Sequence, residues 1–427
     1  RGNTQEVEIL TLEDCLRIGI DNNLSLEGKR KEIQKSKYGV SENRSKLLPQ
    51  INAIAGYNNN FDPPVSVTDG SSYGVPYNIT KTLQHSANAG LEMQMPLFNQ
   101  TLYTSMSIAK VMEEISRLSY GKAREDVILQ ISKMYYLGQV TAEQIMLIKA
   151  NITRLEELRD ITQAFFDNGM SMEVDLKRVN INLENLKVQY DNAQAMMKQQ
   201  LNMLKYIMDY PAEKEIALTP VNTDSITTVA LTGLSENIYE LQLSQSQVQL
   251  AERQKKIIAN GYIPSLSLTG SWRYAAYTDK GYHWFHSGPS NQWFRSYGVG
   301  LTLRIPIFDG LDKTYKIKKA MIDIENKRLA WEDARKNLQT QYLNAVNDLM
   351  NNQRNFKKQK DNYLLAEDVY AVTSDRYREG IASMTEVLQD EMQMSEAQNN
   401  YISAHYNYRV TNLMLLKLTG QIESLVK

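Results

Sequence analysis

The stretch PSLSLTGSWRY at residues 264–274 alternates between apolar and polar side chains over its whole length. Such alternation with a period of two puts the two sets of side chains on opposite faces of a β-strand. About ten residues is also the length of a tilted strand that crosses a membrane. The apolar set is Leu266, Leu268, Gly270, Trp272 and Tyr274, and the polar set is Ser265, Ser267, Thr269, Ser271 and Arg273.

Three further segments have the same period: residues 296–305, residues 86–95 and, more weakly, residues 50–60. Four strands cannot close a barrel, and unpaired backbone groups in hydrocarbon cost several kcal/mol each. If these strands cross a membrane, several chains must therefore share one barrel. Alternating strands also occur in soluble sheets, so the pattern alone leaves a soluble mixed scaffold open.

Long segments outside these strands repeat apolar residues every three or four positions, as packed coiled-coil helices do. The repeat runs through residues 127–155, 176–197, 338–370 and 394–408. No proline interrupts residues 99–162 or 311–373. A helix of about 65 residues would be ~100 Å long. The sequence therefore predicts helices far longer than those of an ordinary domain.

The chain is internally duplicated. Pro96-Leu97-Phe98 is answered by Pro306-Ile307-Phe308, 210 positions later (96 to 306), and the turn ending at Gly169 is answered by one ending at Gly380, 211 positions later (169 to 380). The first predicted repeat, residues 1–210, holds a helix, a hairpin at about 49–97, a long helix at about 98–164 and a helix at about 172–207. The second, residues 211–427, follows a linker at about 209–225 and holds a helix, a hairpin at about 263–306, a long helix at about 308–376 and a helix at about 384–418.

Composition excludes several classes of protein. In 427 residues, 42% are hydrophobic, and no run approaches the roughly 18 apolar residues of a spanning helix, which excludes helical transporters. The net charge of −1 gives no electrostatic argument for nucleic acid. The single cysteine, Cys15, excludes a disulfide framework. No phosphate loop, nucleophile elbow or metal motif is present, so we predict no enzymatic activity, no cofactor and no metal site. Because the chain starts at Arg1 with no apolar leader, it is either cytoplasmic or has lost a signal.

Several segments resemble the TolC-type outer-membrane efflux protein family. They are LTLEDCLRIGIDNNLSL (10–26), LLPQINAIAGY (47–57), YIPSLSLTGSW (262–272), the strand exits MPLF (95–98) and RIPIFDG (304–310), and YREGIASMTEVLQ (377–389). The resemblance covers essentially the whole chain, and the order and doubling of these segments carry it. It implies a mostly α protein with a β-barrel. In this fold a homotrimer shares one twelve-stranded barrel, to which each protomer gives four membrane strands, and long periplasmic helices form an α-barrel tunnel.

The function implied by the resemblance is a passive exit duct for small molecules or polypeptides. The channel would lie in the bacterial outer membrane, extend into the periplasm, and serve a tripartite efflux or type I secretion system. Its expected partners are an inner-membrane pump, a periplasmic adaptor (membrane fusion) protein and outer-membrane lipid, with no nucleic acid. The alternative is a soluble periplasmic or cytoplasmic coiled-coil scaffold or adaptor.

The resemblance also implies a gate where the long helices turn, at Gly169 and Gly380. Glu386 matches the first acidic ring of the family, and Gln389 stands at the second, which would be neutral unless Asp390 substitutes. Tyr377 matches a gate tyrosine, and Glu173 corresponds to the acidic partner of an arginine clamp whose arginine is replaced by Ala382. The spacing from Gly169 to Glu173 is two residues shorter than that from Gly380 to Glu386. The alternative role for Glu386 is a solvated or capping residue, since the start of a helix favours acids.

Charges on the polar faces of the strands identify candidate lumen residues. Glu92, Arg273 and Arg304 alternate with apolar neighbours. On a spanning strand such charges must point into the lumen, where they would tune solute selectivity. Four lysines that follow the second strand exit are predicted to form a solvated face. They are Lys313, Lys316, Lys318 and Lys319.

Overall fold

The computed structural model describes residues 7–221, 231–279 and 293–426. The predicted linker and second hairpin therefore lie partly outside the described residues. The strands are β1 (Glu8–Leu10), β2 (Gln50–Asn59), β3 (Val65–Asp69), β4 (Tyr77–Lys81), β5 (His85–Phe98), β6 (Ile216–Leu218), β7 (Ser265–Thr278) and β8 (Trp293–Arg304). The helices are α1 (Leu12–Asn22), α2 (Leu24–Ser45), α3 (Gln100–Asp167), α4 (Glu173–Met208), α5 (Tyr239–Asn260), α6 (Asp312–Arg378) and α7 (Met384–Leu418).

The chain divides into two compact units. The first is helical and consists of Arg1–Ile33, Ile115–Gln245 and Leu329–Lys427; the second contains the main sheet and consists of Gln34–Glu114 and Ser246–Arg328. The long helices α3 and α6 begin in the second unit and end in the first. Helices α3, α4, α6 and α7 each begin and end within about one helical turn of the positions predicted from the sequence.

The sheet unit is built on four antiparallel strands in the order β2-β5-β7-β8. The register aligns their apolar sets, because Ala53 lies opposite Leu91, Leu91 opposite Trp272, and Trp272 opposite Tyr297. Since side chains alternate along each strand, one face of the sheet is apolar and the other polar. The sheet of one chain is open, and in the described residues β2 and β8 each pair on one side only.

A second, smaller hairpin lies in the segment between β2 and β5. Strands β3 and β4 pair antiparallel, with Val67 opposite Ile79. Gly70 closes the turn, where an added Cβ would come within 2.7 Å of Val75 and of the Tyr77 backbone. This hairpin lies between the two alternating segments at residues 50–60 and 86–95 and was not predicted from the sequence.

Among the described residues, four apolar clusters hold the helical unit together. The largest packs α1 against α3 and the C-terminal end of α4, with Leu16, Ile131 and Met208 fully or almost fully buried. Helix α1 begins with a capping box in which Thr11 and Asp14 each accept a hydrogen bond from the other's backbone N–H. A short parallel pair, β1 with β6, lies beside this cluster and was not predicted.

Candidate functional site

The two long helical hairpins end in the same turn. In the first, Met170 N donates to Phe165 O at 2.7 Å and Gly169 N to Phe166 O at 2.9 Å; in the second, Ile381 N donates to Arg376 O at 2.8 Å. Gly169 and Gly380 have φ angles of 72° and 76°. This is the Schellman cap, in which a left-handed residue closes the helix and satisfies its last carbonyls. Glycine adopts that conformation without strain, so the duplication extends to backbone geometry.

Side chains next to these turns tie α3 to α6. Tyr377 is buried, its hydroxyl donates to Oγ1 of Thr162 at 3.3 Å, and its ring lies 5.7 Å from that of Phe165. Burial raises the pKa of Tyr377, so the phenol stays protonated and available as a donor. The exposed pair of Arg378 with Glu157, at 3.5 Å, adds a second link between the same helices.

A separate contact joins α4 to α7. Arg178 Nη1 donates to Oγ1 of Thr385 at 3.3 Å and to Oδ1 of Asp175 at the same distance. Between the two turns lies a cavity of about 580 Å³. Its lining includes Phe165, Asp175, Arg178, Tyr377 and Thr385. The candidate gate residue Tyr377 therefore shares a cavity with a polar contact that sequence reasoning did not find.

Glu386 is the capping-box residue of α7. Ser383 N donates to its Oε2 at 2.7 Å, while Glu386 N donates to Oγ of Ser383 at 3.3 Å. The backbone N–H of Ser383 is the main reason that the pKa of Glu386 is lowered. The capping role weighed in the sequence analysis is thus present in the structure. A carboxylate fixed in this way remains exposed and charged.

The other predicted gate residues are less constrained. Glu173 is exposed in the first turn of α4, and the Lys177 ammonium, 2.8 Å away, lowers its pKa. Gln389 is exposed and Asp390 half-buried on α7. The preceding cap residue of α4 is Met172, which makes no side-chain capping bond. The two acids Glu173 and Glu386 are therefore held differently, although both start a helix.

A buried acid on α7 was missed by the sequence analysis. Glu391 is only 4% exposed, and its Oε1 has no hydrogen-bond partner within the part of the chain that the structure describes. Burial raises its pKa to about 7. Glu391 lies seven residues after buried Met384 and seven before buried Gln398, so its position in the heptad repeat is the signal that could have identified it.

Polar contacts, some half-buried and some fully buried, join α3 to its neighbours. Arg154 pairs with Glu367 on α6, and Asn151 Nδ2 donates to Gln398 Oε1 on α7 at 2.7 Å. Further along, fully buried His405 accepts from Arg409 Nε at Nε2, at 3.0 Å, and its Nδ1 lies 3.3 Å from Glu143. Since buried polar groups are costly unless paired, these networks fix the register of the helices.

On the polar face of the sheet, Glu92 and Arg273 form an ion pair between β5 and β7. The pair is diagonal, because Glu92 lies opposite Ser271 while Arg273 lies opposite Gly90. A Cβ at Gly90 would come within 2.4 Å of the Trp272 carbonyl oxygen, so glycine permits this close approach. Both charged side chains line a cavity of about 500 Å³ on this face. The structure thus brings two of the three predicted lumen charges together.

Arg304 lies apart from that pair. It lines a different cavity of about 390 Å³ together with Lys46, at the end of the sheet where β8 leads into α6. The remaining lining residues in the described part of the chain include polar Gln50, Gln94 and Thr302, but no carboxylate. Lys46 is paired with Glu42 at 4.0 Å, so among the described residues Arg304 is the charge of this cavity that has no carboxylate partner, whereas Glu92 and Arg273 compensate each other.

Two other kinds of feature, a metal-binding cluster and a membrane-spanning helix, are absent from the described residues. No group of three His, Cys, Asp or Glu that could hold a metal ion occurs in residues 7–221, 231–279 and 293–426. Within the same ranges, no helix is both long enough and apolar enough to cross a membrane. His283 and His286 lie outside the described residues.

A duplicated helical protein whose two amphipathic hairpins form one open sheet has the fold of an outer-membrane efflux channel. The family model described as outer membrane efflux protein matches residues 18–208 and 231–421, one segment in each repeat. The chain therefore belongs to the outer membrane efflux protein family, as the quoted segments predict. It is an exit channel for efflux in the outer membrane and extends into the periplasm.

Relatives and solved structures agree with this assignment. The outer membrane protein TolC of Vibrio cholerae is 21% identical over 399 residues, which cover 90% of this chain and 84% of that protein. The probable efflux pump outer membrane protein TtgC of Pseudomonas putida is 23% identical over 379 residues, or 84% and 75% of the two chains. The crystal structure of CusC superposes with a TM-score of 0.79 at 15% identity and covers 98% of this chain and 94% of CusC.

Proposed function

We propose that three copies of the chain form a passive exit duct that works in a tripartite efflux or type I secretion system. The observation that carries the proposal is the open, two-faced sheet. In the described residues β2 and β8 have free edges, and the outer row of β8 exposes Tyr297, Val299, Leu301 and Leu303. An apolar face with unpaired edges suits lipid only if other copies pair those edges.

The number of strands in one copy supports a trimer over a dimer. Two copies would give a barrel of eight strands, and side chains fill the interior of a barrel of that size. Three copies would give a barrel of twelve strands, which is wide enough to leave an open lumen. The aligned polar face, with the Glu92–Arg273 pair and Arg304, would then face water. Such a lumen needs no chemistry of its own, and selection of the substrate rests with the pump.

Exposed apolar stripes on the long helices support the same assembly. On α4, Val174, Ile181 and Val188 are exposed at intervals of seven residues. On α6, exposed apolar residues also recur at multiples of seven residues, at Leu343, Met350 and Leu364. Seven-residue apolar spacing is the pattern of a helix that packs against another. We infer that α4 of one copy packs against α6 of the next, so that the helices build a continuous periplasmic tunnel.

The Schellman turns at Gly169 and Gly380 would then surround the periplasmic opening. The gate residues would be Tyr377, Glu386 and Glu173, with Gln389 and Asp390 in the next turn of α7. Opening would require α6 to move away from α3, which breaks the Tyr377–Thr162 contact. A periplasmic adaptor would bind near this end and connect the duct to an inner-membrane pump.

The proposal is tested by mass and conductance together. Protein extracted from membranes should have about three times the mass of one chain after bound detergent is subtracted, and should form ion-conducting pores in planar bilayers. It should aggregate when detergent is removed. A monomer or dimer that stays dispersed in plain buffer would contradict the shared barrel and favour the coiled-coil scaffold.

A further inference from the structure

The segment that leaves β8 exposes large apolar side chains outside the sheet. Ile307 is 94% exposed and Phe308 is 81% exposed. The outer row of β8 alternates through Leu301 and Leu303 and continues with the same spacing through Ile305 to Ile307. The apolar face of the sheet is therefore prolonged beyond the last paired residue, Arg304.

The backbone here is held in a defined conformation. Gly310 and Leu311 both have a φ angle of 67°, which is unusual for leucine. Asp309 Oδ2 accepts hydrogen bonds from the backbone N of Lys313 at 3.2 Å and from its Nζ at 2.8 Å, which ties the segment to the first turn of α6. The exposed apolar residues thus sit at a fixed place relative to that turn.

The first turns of α6 have one buried face and one exposed face. Ala320 and Ile324 are buried on one side. On the other side Tyr315, Lys318 and Lys319 are exposed at positions i, i+3 and i+4, which lie together on a helix. An exposed aromatic residue beside basic residues, next to apolar side chains, is the composition of a segment at a membrane surface.

The four lysines of this region are not equivalent. Lys313 pairs with Asp309, and Lys316 pairs with Asp312 at 2.6 Å. Lys318 has its Nζ 5.6 Å from the centre of the Tyr315 ring, and neither Lys318 nor Lys319 has a carboxylate partner among the described residues. Two positive charges of each copy are therefore uncompensated next to the exposed apolar segment.

We propose that Ile307, Phe308, Tyr315, Lys318 and Lys319, here called the collar, bind anionic phospholipid of the periplasmic leaflet. The inference rests on the proposed function, in which the outer row of β8 faces lipid and α6 leads into the periplasm. Ile307 and Phe308 enter the acyl region, and the two lysines contact headgroup phosphates. In this proposal, two of the four lysines predicted to form a solvated face contact lipid headgroups. Charge complementarity and continuity with the apolar row both select a lipid rather than a protein partner.

The test uses the full-length chain purified in detergent and mixed with equal amounts of phosphatidylglycerol and phosphatidylcholine. Native mass spectrometry then counts the lipids that each oligomer retains. A basic residue at a membrane surface favours anionic lipid by about fivefold, so the wild-type protein should retain phosphatidylglycerol by at least that ratio. The preference should weaken as salt is raised.

Two variants and one control separate the contributions. The double variant Lys318→Gln/Lys319→Gln should lose most of the preference, because it removes the uncompensated charges. Lys357→Gln/Lys358→Gln removes an equally adjacent and exposed lysine pair much further along α6, and it should retain the wild-type ratio. Ile307→Ser/Phe308→Ser should reduce retention of both lipids.

The outcomes distinguish the collar from the channel. Equal retention of the two lipids by the wild-type protein, an unchanged ratio in the Lys318→Gln/Lys319→Gln variant, or an equal loss in the Lys357→Gln/Lys358→Gln control would overturn the proposal. Pore formation is measured on the same preparation. A normal pore without lipid preference contradicts the collar alone, whereas selective lipid retention without a pore contradicts the proposed function.

Discussion

The hydroxyl of Tyr377 donates a hydrogen bond to Oγ1 of Thr162 and so joins the last turns of α6 and α3. The Thr162 hydroxyl in turn donates to the carbonyl of Leu158 at 2.7 Å. Both hydroxyl groups are buried next to Phe165. The contact is therefore a short buried chain of hydrogen bonds at the place where the proposed gate must open.

Tyr377→Phe should raise the conductance of the reconstituted channel, because it removes this chain and keeps the ring. A neutral buried hydrogen bond contributes about 1 kcal/mol, so the ratio of open to closed channels should rise by up to about fivefold. Tyr370→Phe is the control, since Tyr370 is buried in the same apolar cluster two turns earlier on α6. Equal conductance of wild type and Tyr377→Phe would remove Tyr377 from the gate.

The two roles of Glu386 can be separated by a pair of substitutions. Glu386→Gln keeps a side chain that can complete the capping box but removes the charge, whereas Glu386→Ala removes both. We expect both variants to reduce cation selectivity, and only Glu386→Ala to lower the Tm. If selectivity is unchanged in both while the Tm of the alanine variant falls, Glu386 is a cap and not part of a ring.

The buried Glu391 should make stability depend on pH. Its folded-state pKa of about 7 lies above its ordinary value of 4.5, so the folded state binds the proton more tightly. Below about pH 4.5 Glu391 is protonated in both the folded and the unfolded state, and the protein keeps its full free energy of unfolding. As pH rises to about 7 the free energy of unfolding falls, and above pH 7 the loss is on the order of 3 kcal/mol.

Glu391→Gln should therefore raise the Tm at pH 8 and change it little at pH 4.5. Thermal unfolding at both pH values measures the difference directly. Glu396→Gln on the exposed side of the same helix is the matched control and should leave the profile unchanged. A similar pH dependence in wild type and Glu391→Gln would mean that the carboxylate is solvated in the native protein.

The Glu92–Arg273 pair predicts opposite shifts in ion selectivity. Glu92→Gln leaves Arg273 uncompensated and should move the reversal potential toward anion preference. Arg273→Gln leaves Glu92 uncompensated and should move it toward cations, while the double variant should resemble wild type. If neither single variant shifts the reversal potential, the polar face of the sheet does not line the conducting path.

The strands and long helices could be predicted because each repeats a simple pattern over many residues. Alternation from Ser265 to Arg273 predicts a strand. The absence of proline permits the long helices α3 and α6, and Gly169 and Gly380 mark where they end. The pair β1–β6 has only three residues per strand, too few for a period to emerge. The hairpin β3–β4 was hidden because its alternation lies between turn-forming residues.

The site was less predictable for a different reason. Gly169 and Gly380 stand out because a left-handed cap demands glycine, but Glu391 and Glu386 are chemically alike and differ only in surroundings. Glu386 is the third residue of α7 and Glu391 the eighth. Whether an acid is buried, as Glu391 is, or bound to the backbone, as Glu386 is, depends on tertiary packing and cap geometry.

The free edges of β2 and β8 have a consequence for how the protein is made. In hydrocarbon, a lone copy would leave two rows of backbone groups without partners, so a single chain cannot complete its own folding there. Insertion and assembly would then be one event, and the stability of each chain would depend on the concentration of the others. A chain diluted in the membrane should lose its strands before its helices, because each helix completes its backbone hydrogen bonds within one chain, whereas β2 and β8 each leave one edge unpaired.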